Sequence, residues 1–582
     1  MGHLAYLNKY FLRYKFRLIL GIIFILIANL VQVNIPLFLK DGIDGIENNI
    51  SSDALLKYAL LIFGAAIISG IFRFLIRETI IVVSRLIEYD LRQDFWSHIQ
   101  KLPLRFFQNN STGNIMSHAT NDVSAVRMYV GPAVMYSIDT GTTFIIVIYI
   151  MLTLNTELTL YTLIPLPILS YFVYLLSGKI HKKFTLIQEK FSELTTKAQE
   201  NFSGIRIVKS YVREENELNS FSKLSDDYLK RNMDKVKIQA LFMPLLYLIT
   251  GISIILVILI GGNMVINGIL TLGDITAFVL YLGLLIWPTI AFGWVANIIQ
   301  QAAASMKRLK KILNEAYEIE DSADTDHTIE NIRGEIEFRN VVFRYKENLP
   351  DVLSEVSLKI PQGSTLAIVG HTGQGKTSFI NLVARLFDTT GGKILIDGHD
   401  IKSIPVKVLR ENIGLVSQET FLFSDTLANN IAYGMKELNQ DTVERMAAIA
   451  RLDKDVESFP SKYETILGER GITLSGGQKQ RTCLARALAV EPKILILDDT
   501  FSAVDTHTEE EILVRLKEFM KDRTTIIISH RISTVKDADN IIVLDESKIA
   551  EQGTHNELVA LNGIYADLHY KQLLEEELKE MN

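Results

Sequence analysis

One cysteine in 582 residues, Cys483, leaves no possible intrachain disulfide, so nothing here depends on an oxidising compartment. An excess of positive charge is also missing. Lys and Arg number 60 against 67 Asp and Glu, a net charge of −7, which excludes the broad basic face of a general nucleic-acid binder. The first apolar run begins after Arg17 and has no small-residue cleavage site, only Asn34-Ile35-Pro36 before more apolar sequence. It therefore reads as a retained membrane helix and not as a signal peptide. Length excludes a single core, since cores rarely grow past roughly 250–300 residues.

What is present is unevenly placed. Hydrophobic residues make up an ordinary 48%, but they crowd into the first half of the chain. Apolar segments at about 18–39, 58–82, 130–154, 158–176, 240–265 and 275–299 are each long enough to cross ~30 Å of hydrocarbon as a helix. Residues 6–17 mix aromatics with Lys9, Arg13, Lys15 and Arg17, which suits a helix in the headgroup region. The third and fourth segments are joined by Asn155-Thr156-Glu157 and the last two by 266–274, short turns without Lys or Arg. Residues 83–129 and 177–239 are long polar excursions, and the second carries a dense series of basic residues from Lys179 to Lys237. By the positive-inside rule both excursions and both termini are cytoplasmic. Pro103 is the one proline in these excursions, so they read as helical hairpins that continue the membrane helices, with a docking element expected at tips near 108–114 and 211–215. A merely solvated helical surface is the alternative. Asn29, Gln32, Arg73, Arg77, Asp139 and Asn297 lie inside the spans, where polar groups line a pathway or hydrogen-bond between helices.

Residues 316–333 are acidic and weakly patterned and read as a linker. Beyond them Ile336, Phe338, Val341 and Phe343 alternate as in a strand that ends at Tyr345, an aromatic that can stack on a base or belong to the core. The stretch Gly370-His371-Thr372-Gly373-Gln374-Gly375-Lys376-Thr377 follows an apolar strand and opens a helix at Ser378. In that setting backbone N–H groups surround a phosphate, Lys376 neutralises charge and Thr377 can ligate Mg²⁺. Ile494-Leu495-Ile496-Leu497 delivers Asp498, suited to Mg²⁺, and Asp499, suited to orienting a water. Thr525-Ile526-Ile527-Ile528 delivers Ser529-His530, and Gln418 follows the strand 413–416. Singly each is an ordinary strand-end cap; together they can converge on one phosphate at the carboxyl edge of a parallel sheet. Ser475-Gly476-Gly477-Gln478 opens a further helix, a second anion-binding terminus for which one chain has no obvious use.

In this order the residues resemble the ATP-binding cassette family, and with six preceding spans the chain resembles an exporter half-transporter over essentially its whole length. The resemblance implies a membrane α-helical fold, with six transmembrane helices and long cytoplasmic extensions, plus an α/β P-loop ATPase domain. The domains are expected at 1–315 and 334–582, with the linker at 316–333. It makes Tyr345 the base-stacking aromatic, Gly370 to Thr377 the phosphate loop, Gln418 and His530 the switch residues and Leu474 to Gln478 the signature. Asp498 becomes the magnesium aspartate and Ser502-Ala503-Val504-Asp505 the loop that crosses to a partner. Gly468-Glu469-Arg470-Gly471, the Phe106-Phe107 to Asp122 string and Gly204 to Lys209 are similar to exporter segments that couple cassette and membrane loops. ATP and Mg²⁺ are the implied ligands; a second half-transporter, membrane lipid and a hydrophobic or amphipathic substrate are the implied partners. The implied location is the cytoplasmic membrane, as a multi-pass protein.

One departure stands out. Asp499 occupies the place of the family's catalytic glutamate, one methylene shorter, and Thr500-Phe501 replaces the usual Ala-Thr. The expectation is a heterodimer in which this chain supplies the slow ATP site, the alternative a slow homodimer. A soluble cassette ATPase has no use for six spans, and an ATP-gated channel or receptor is the rival to a pump. No extra peptidase domain precedes the spans, which disfavours secretion of processed peptides. The acidic tail 573–582 is assigned no chemistry.

Overall fold

The structure, a computed structural model, describes residues 2–580; Met581 and Asn582 of the acidic tail lie outside the described residues. Two compact units divide the chain: Met1–Gln100 with Thr112–Glu315, and Lys101–Ser111 with Ala316–Asn582.

Among the described residues the first unit contains six helical runs long and apolar enough to span a membrane. They are α1 (Lys15–Glu47), α2 (Ser52–Ile99), α3 (Thr112–Leu154), α4 (Thr156–Ser203), α5 (Glu214–Ile266) and α6 (Leu272–Leu313). All six run past their apolar stretches because the polar sequence beyond is also helix-forming. Their ends have local causes. Asn155 is extended at φ −161° and its Oδ1 accepts the Leu158 N–H at 2.8 Å, so one residue ends α3 and caps α4. Thr271 and Asp274 form a capping box at the start of α6. Gly273 lets α1 close on that start: its N–H donates to Asp44 Oδ1 at 2.8 Å, and a Cβ there would lie 2.4 Å from the Lys40 carbonyl oxygen. Beyond the apolar stretches α4 and α5 form a hairpin, tied by Lys197–Glu217 at 2.6 Å and Lys183–Asp234 at 3.1 Å. The aromatic, basic start of the chain is strapped to α2. Tyr10 is buried and donates to Asp94 at 2.7 Å, and Arg13 pairs with Asp90 at 2.9 Å, so it is more than a headgroup-region helix. Within the spans Asn29 donates to Thr142 Oγ1 at 2.7 Å and Arg73 donates to Gln32, both between helices.

The second unit is α/β. Its strands are β1 (Ile336–Phe343), β2 (Leu353–Ile360), β3 (Thr365–Val369), β4 (Gly391–Ile396), β5 (His399–Asp400), β6 (Ile413–Val416), β7 (Ile494–Asp498), β8 (Thr524–Ile528), β9 (Asn540–Asp545) and β10 (Lys548–Gly553). The helices that matter below are α7 (Lys376–Val383), α8 (Asp453–Ser458), α9 (Gly476–Ala489) and α10 (Thr506–Met520). An antiparallel sheet has the order β2-β1-β4-β5, and a six-stranded sheet the order β10-β9-β3-β8-β7-β6. In the latter every pairing from β9 to β6 is parallel, and β10 is an antiparallel edge. Its central strands are buried on both faces, as unbroken apolar runs require. Leu366, Ile368, Ile494 and Ile496 face one core with the antiparallel sheet and α7; Ala367, Val369, Leu495 and Leu497 face the other with α9 and α10. The stretch 316–333 packs on this unit. Asp326 N–H donates to the Ser403 carbonyl at 2.8 Å, Asp321 accepts from Val406 N–H at 2.9 Å, and Ile332 is buried. Leu104, from the segment Lys101–Ser111, also packs against the core around β1.

Candidate functional site

β3 ends at Val369, and the turn that follows runs through backbone conformations closed to most side chains. Gly370 has φ +141°, Gly373 +90° and Gly375 +89°. A Cβ on Gly370 would stand 2.4 Å from the Leu544 carbonyl oxygen, and one on Gly375 2.7 Å from that of Val352. The loop 370–375 is thus held against its neighbours by absent side chains. Gly375 caps α7 with no side-chain bond, which leaves the first N–H groups of α7 for a ligand. Lys376 is buried, and its Nζ donates to the carbonyls of Gly370 and His371 at 2.7 and 2.9 Å. Burial pulls this ammonium below its ordinary pKa, and Asp498 and Asp499 push it back up. A buried cation that spends its protons on loop carbonyls, at a helix N-terminus, fits a polyphosphate.

β3, β8, β7 and β6 are parallel neighbours, so their carboxyl ends share one edge. That edge carries the phosphate loop, Ser529-His530, Asp498-Asp499 and Gln418. Thr377 Oγ1 donates to Asp498 Oδ2 at 3.0 Å, which brings two hard oxygen donors together. They fit Mg²⁺, which takes one or two protein oxygens and completes its shell with phosphate and water. Asp498 is 2% exposed. Burial raises its pKa, Thr377 opposes the shift through its hydrogen bond, Asp499 adds to it, and Lys376 and His530 oppose it. Asp499 is part-buried at φ +47°, its N–H bonded to the Ile528 carbonyl at 2.9 Å. Asp tolerates this left-handed region better than most residues. Gln418 and His530 are exposed, and the His530 carbonyl accepts from Gln572. Tyr345 lies just past β1 beside this edge. Its hydroxyl shares a hydrogen bond with Ser378 Oγ at 2.8 Å, and its ring meets Phe343 and Phe387 edge-on.

The second predicted terminus is built differently. Ser475 Oγ accepts the Gln478 N–H at 3.3 Å while Gln478 Oε1 accepts the Ser475 N–H at 2.9 Å, a capping box at the start of α9. Residues that sequence patterns did not single out hold it. Asp455 on α8 accepts from Gln478 Nε2 at 2.9 Å and from Arg481 at 2.7 Å. Gln480 accepts from Ala503 N–H at 2.9 Å and donates to Ser502 at 2.8 Å, which fastens α9 to the loop 502–505. Gly477 sits against that loop, where a Cβ would be 3.0 Å from the Ala503 carbonyl oxygen. Asp505 closes the loop as N-cap of α10, accepting from Thr508 N–H at 2.9 Å. The one sign of Gln480 in the sequence is a polar residue on the inward face of a helix.

Residues 18–289 match the family described as ABC transporter transmembrane region, and 353–502 the family described as ABC transporter. Over 571 residues the chain is 35% identical to the probable multidrug resistance ABC transporter ATP-binding/permease protein YheI of Bacillus subtilis, covering 98% of this chain and 97% of that protein. This chain belongs to the ABC transporter family. The ABC transporter is also 34% identical over 573 residues to the multidrug resistance-like ATP-binding protein MdlA of Escherichia coli, covering 98% and 97% of the two chains. Its fold is similar to that of a bacterial Atm1-family ABC exporter with ATP bound, with a TM-score of 0.79 and 27% identity over 96% of this chain and 98% of the other. It is a multi-pass membrane protein of the ABC exporter fold, and its cassette is an ATP-binding ATPase coupled to transport.

Proposed function

We propose that this chain is one half of a dimeric exporter that uses ATP to move an amphipathic or hydrophobic compound out across the cytoplasmic membrane. Its cassette and both termini are cytoplasmic, on the side of the basic excursion from Lys179 to Lys237. The observation that carries the reading is the 3.0 Å bond between Thr377 and Asp498, at the foot of a buried Lys376, in a chain that also has six apolar spans among its described residues.

Each residue then has a task. The N–H groups of Gly373, Gln374, Gly375 and Lys376 surround the terminal phosphates, with His371 and Thr372 completing the loop, and Lys376 neutralises them. Tyr345 places its ring at the base, and Ser378 fixes it through the shared hydrogen bond. Thr377 and Asp498 hold Mg²⁺, with Gln418 reaching the same site. When bound, Mg²⁺ neutralises charge on the phosphate oxygens. Asp499 and His530 orient the attacking water and hold its proton. Ser475 to Gln478, fixed by Asp455 and Gln480, present a second helix N-terminus to the nucleotide of a partner chain, with Asp505 in the crossing loop.

Asp499 decides how fast the chain's own site turns over. Its carboxylate is retracted by one C–C bond relative to glutamate, and a displacement on the order of 1 Å costs about 10²-fold in rate. A partner with glutamate at this position would hydrolyse against this chain's signature, so the transporter is a heterodimer with one fast and one slow site. ATP-driven accumulation of a fluorescent amphipath in inside-out vesicles tests the pump. Accumulation that requires ATP and Mg²⁺ supports it; none in a transporter that binds ATP assigns a gate.

A further inference from the structure

Asp139 is the one charged residue in the apolar stretch 130–154 of α3. It lies fifteen residues from Leu154, so a rise of ~1.5 Å per residue places it about 22 Å from that end, within the ~30 Å of hydrocarbon. Its backbone carbonyl is used, accepting from Asn29 Nδ2 at 3.0 Å and Thr142 Oγ1 at 3.1 Å. Its carboxylate makes no hydrogen bond or ion pair with any described residue, and Arg73, a cation of the spans, donates to Gln32. Charges at membrane depth are paired or face an aqueous cavity, because lipid does not solvate them. Among the described residues this half-buried carboxylate has no cation partner, so it is free to pair with one that enters from outside the chain.

Three residues earlier on the same helix face stands Tyr136. Its ring is edge-on to Trp294 at 5.3 Å and to Trp287 at 6.3 Å, both on α6. Trp287 and Trp294 are seven residues apart and thus on one face of α6, and they are 52% and 42% exposed. A half-exposed aromatic cluster about one helical turn from a carboxylate without a partner among the described residues offers an organic cation two modes of recognition, charge pairing and attraction to ring faces. An acyl chain would cover the tryptophans but leave the carboxylate unanswered.

Resting on the export reading above, we propose that Asp139 with Tyr136, Trp287 and Trp294 forms the part of the substrate site that selects an amphipathic organic cation. The test uses the full-length chain in its assembled transporter, reconstituted in nanodiscs. The probes are radiolabelled tetraphenylphosphonium and tetraphenylborate, which share a shape and differ in charge. Wild type binds the cation saturably, and the anion does not displace it. Asp139→Asn weakens cation binding by about tenfold or more, Asp139→Glu restores most of it, and Trp294→Ala weakens it several-fold. Cation binding unchanged by Asp139→Asn, equal binding of the anion, or no saturable cation binding overturns the site. If Asp139→Asn does not assemble, Trp294→Ala and Asp139→Glu decide, and unchanged binding in Trp294→Ala overturns it. ATP-driven uptake of the cation into inside-out vesicles separates this proposal from export itself. Asp139-dependent binding without uptake leaves the site standing and removes export. Uptake equal in wild type and Asp139→Asn does the reverse.

Discussion

Two helix N-termini in the cassette reach the same end by opposite means. At α7 the glycines at 370, 373 and 375 adopt positive φ, no side chain caps the helix, and the free N–H groups await phosphate. At α9 the Ser475 and Gln478 box already occupies the terminus, and Asp455 and Gln480 lock it in place. The first is a cradle that glycine makes possible and whose ligand completes it. The second is already capped by its own side chains, an arrangement consistent with the proposal that it is offered to another chain's nucleotide.

Substitutions that strike one terminus and spare the other sharpen this contrast. Lys376→Ala removes the buried cation from the cradle. ATP photolabelling of this chain should fall by about 10²- to 10³-fold while the assembled transporter remains intact by size exclusion. Asp499→Glu extends the carboxylate and should raise hydrolysis at this chain's site by about 10- to 10²-fold in single-turnover assays. Part of the gain is offset by the φ of +47°, which glutamate tolerates less well than aspartate. No rise in a correctly assembled complex would count against the geometric explanation. Asp455→Ala frees the Gln478 amide and should lower steady-state ATPase of the assembled transporter by about tenfold, with ATP photolabelling of this chain unchanged. Asp455→Asn, which retains an acceptor, should recover part of that loss.

The smallest effect is a pH dependence of stability. Burial raises the pKa of Asp498 in the folded chain, so its charge destabilises the nucleotide-free fold above that raised value. The penalty fades as pH falls through the window down to the ordinary carboxylate value of the unfolded chain. Asp498→Asn should therefore raise the Tm of the nucleotide-free protein by about 2 °C at pH 7, a gap that closes toward pH 4. A constant gap across that range would contradict it.

Most of the candidate site's placement at one sheet edge was legible because its pattern is local. Glycines at 370, 373 and 375 mark a turn that only they can make, and apolar strands followed by Asp498, Ser529-His530 or Gln418 mark one sheet edge. The spans were legible for a similar reason, since twenty apolar residues in lipid have few alternatives to a helix. What escaped depends on contacts between distant residues. Asp455 and Gln478 are 23 positions apart, and Gln480 and Ser502 are 22 apart. The strap from Tyr10 to Asp94 and the packing of Leu104 by β1 likewise have no local signature. Residues 316–333 read as a linker because acidic, unpatterned sequence lacks a helical or strand period, yet the Asp326 backbone and the Asp321 carboxylate hydrogen-bond to the second unit. Asp499 was legible as a short carboxylate but not as a left-handed residue.

The claim that this chain binds ATP in a slow site and lends its signature to a faster one is tested most directly by its ATPase activity, measured alone and with whatever half-transporter co-purifies. Turnover should be slow for the chain alone and rise by about 10²-fold in the pair, with the rise abolished by Ser475→Arg in this chain. Vigorous hydrolysis by the chain on its own would contradict it.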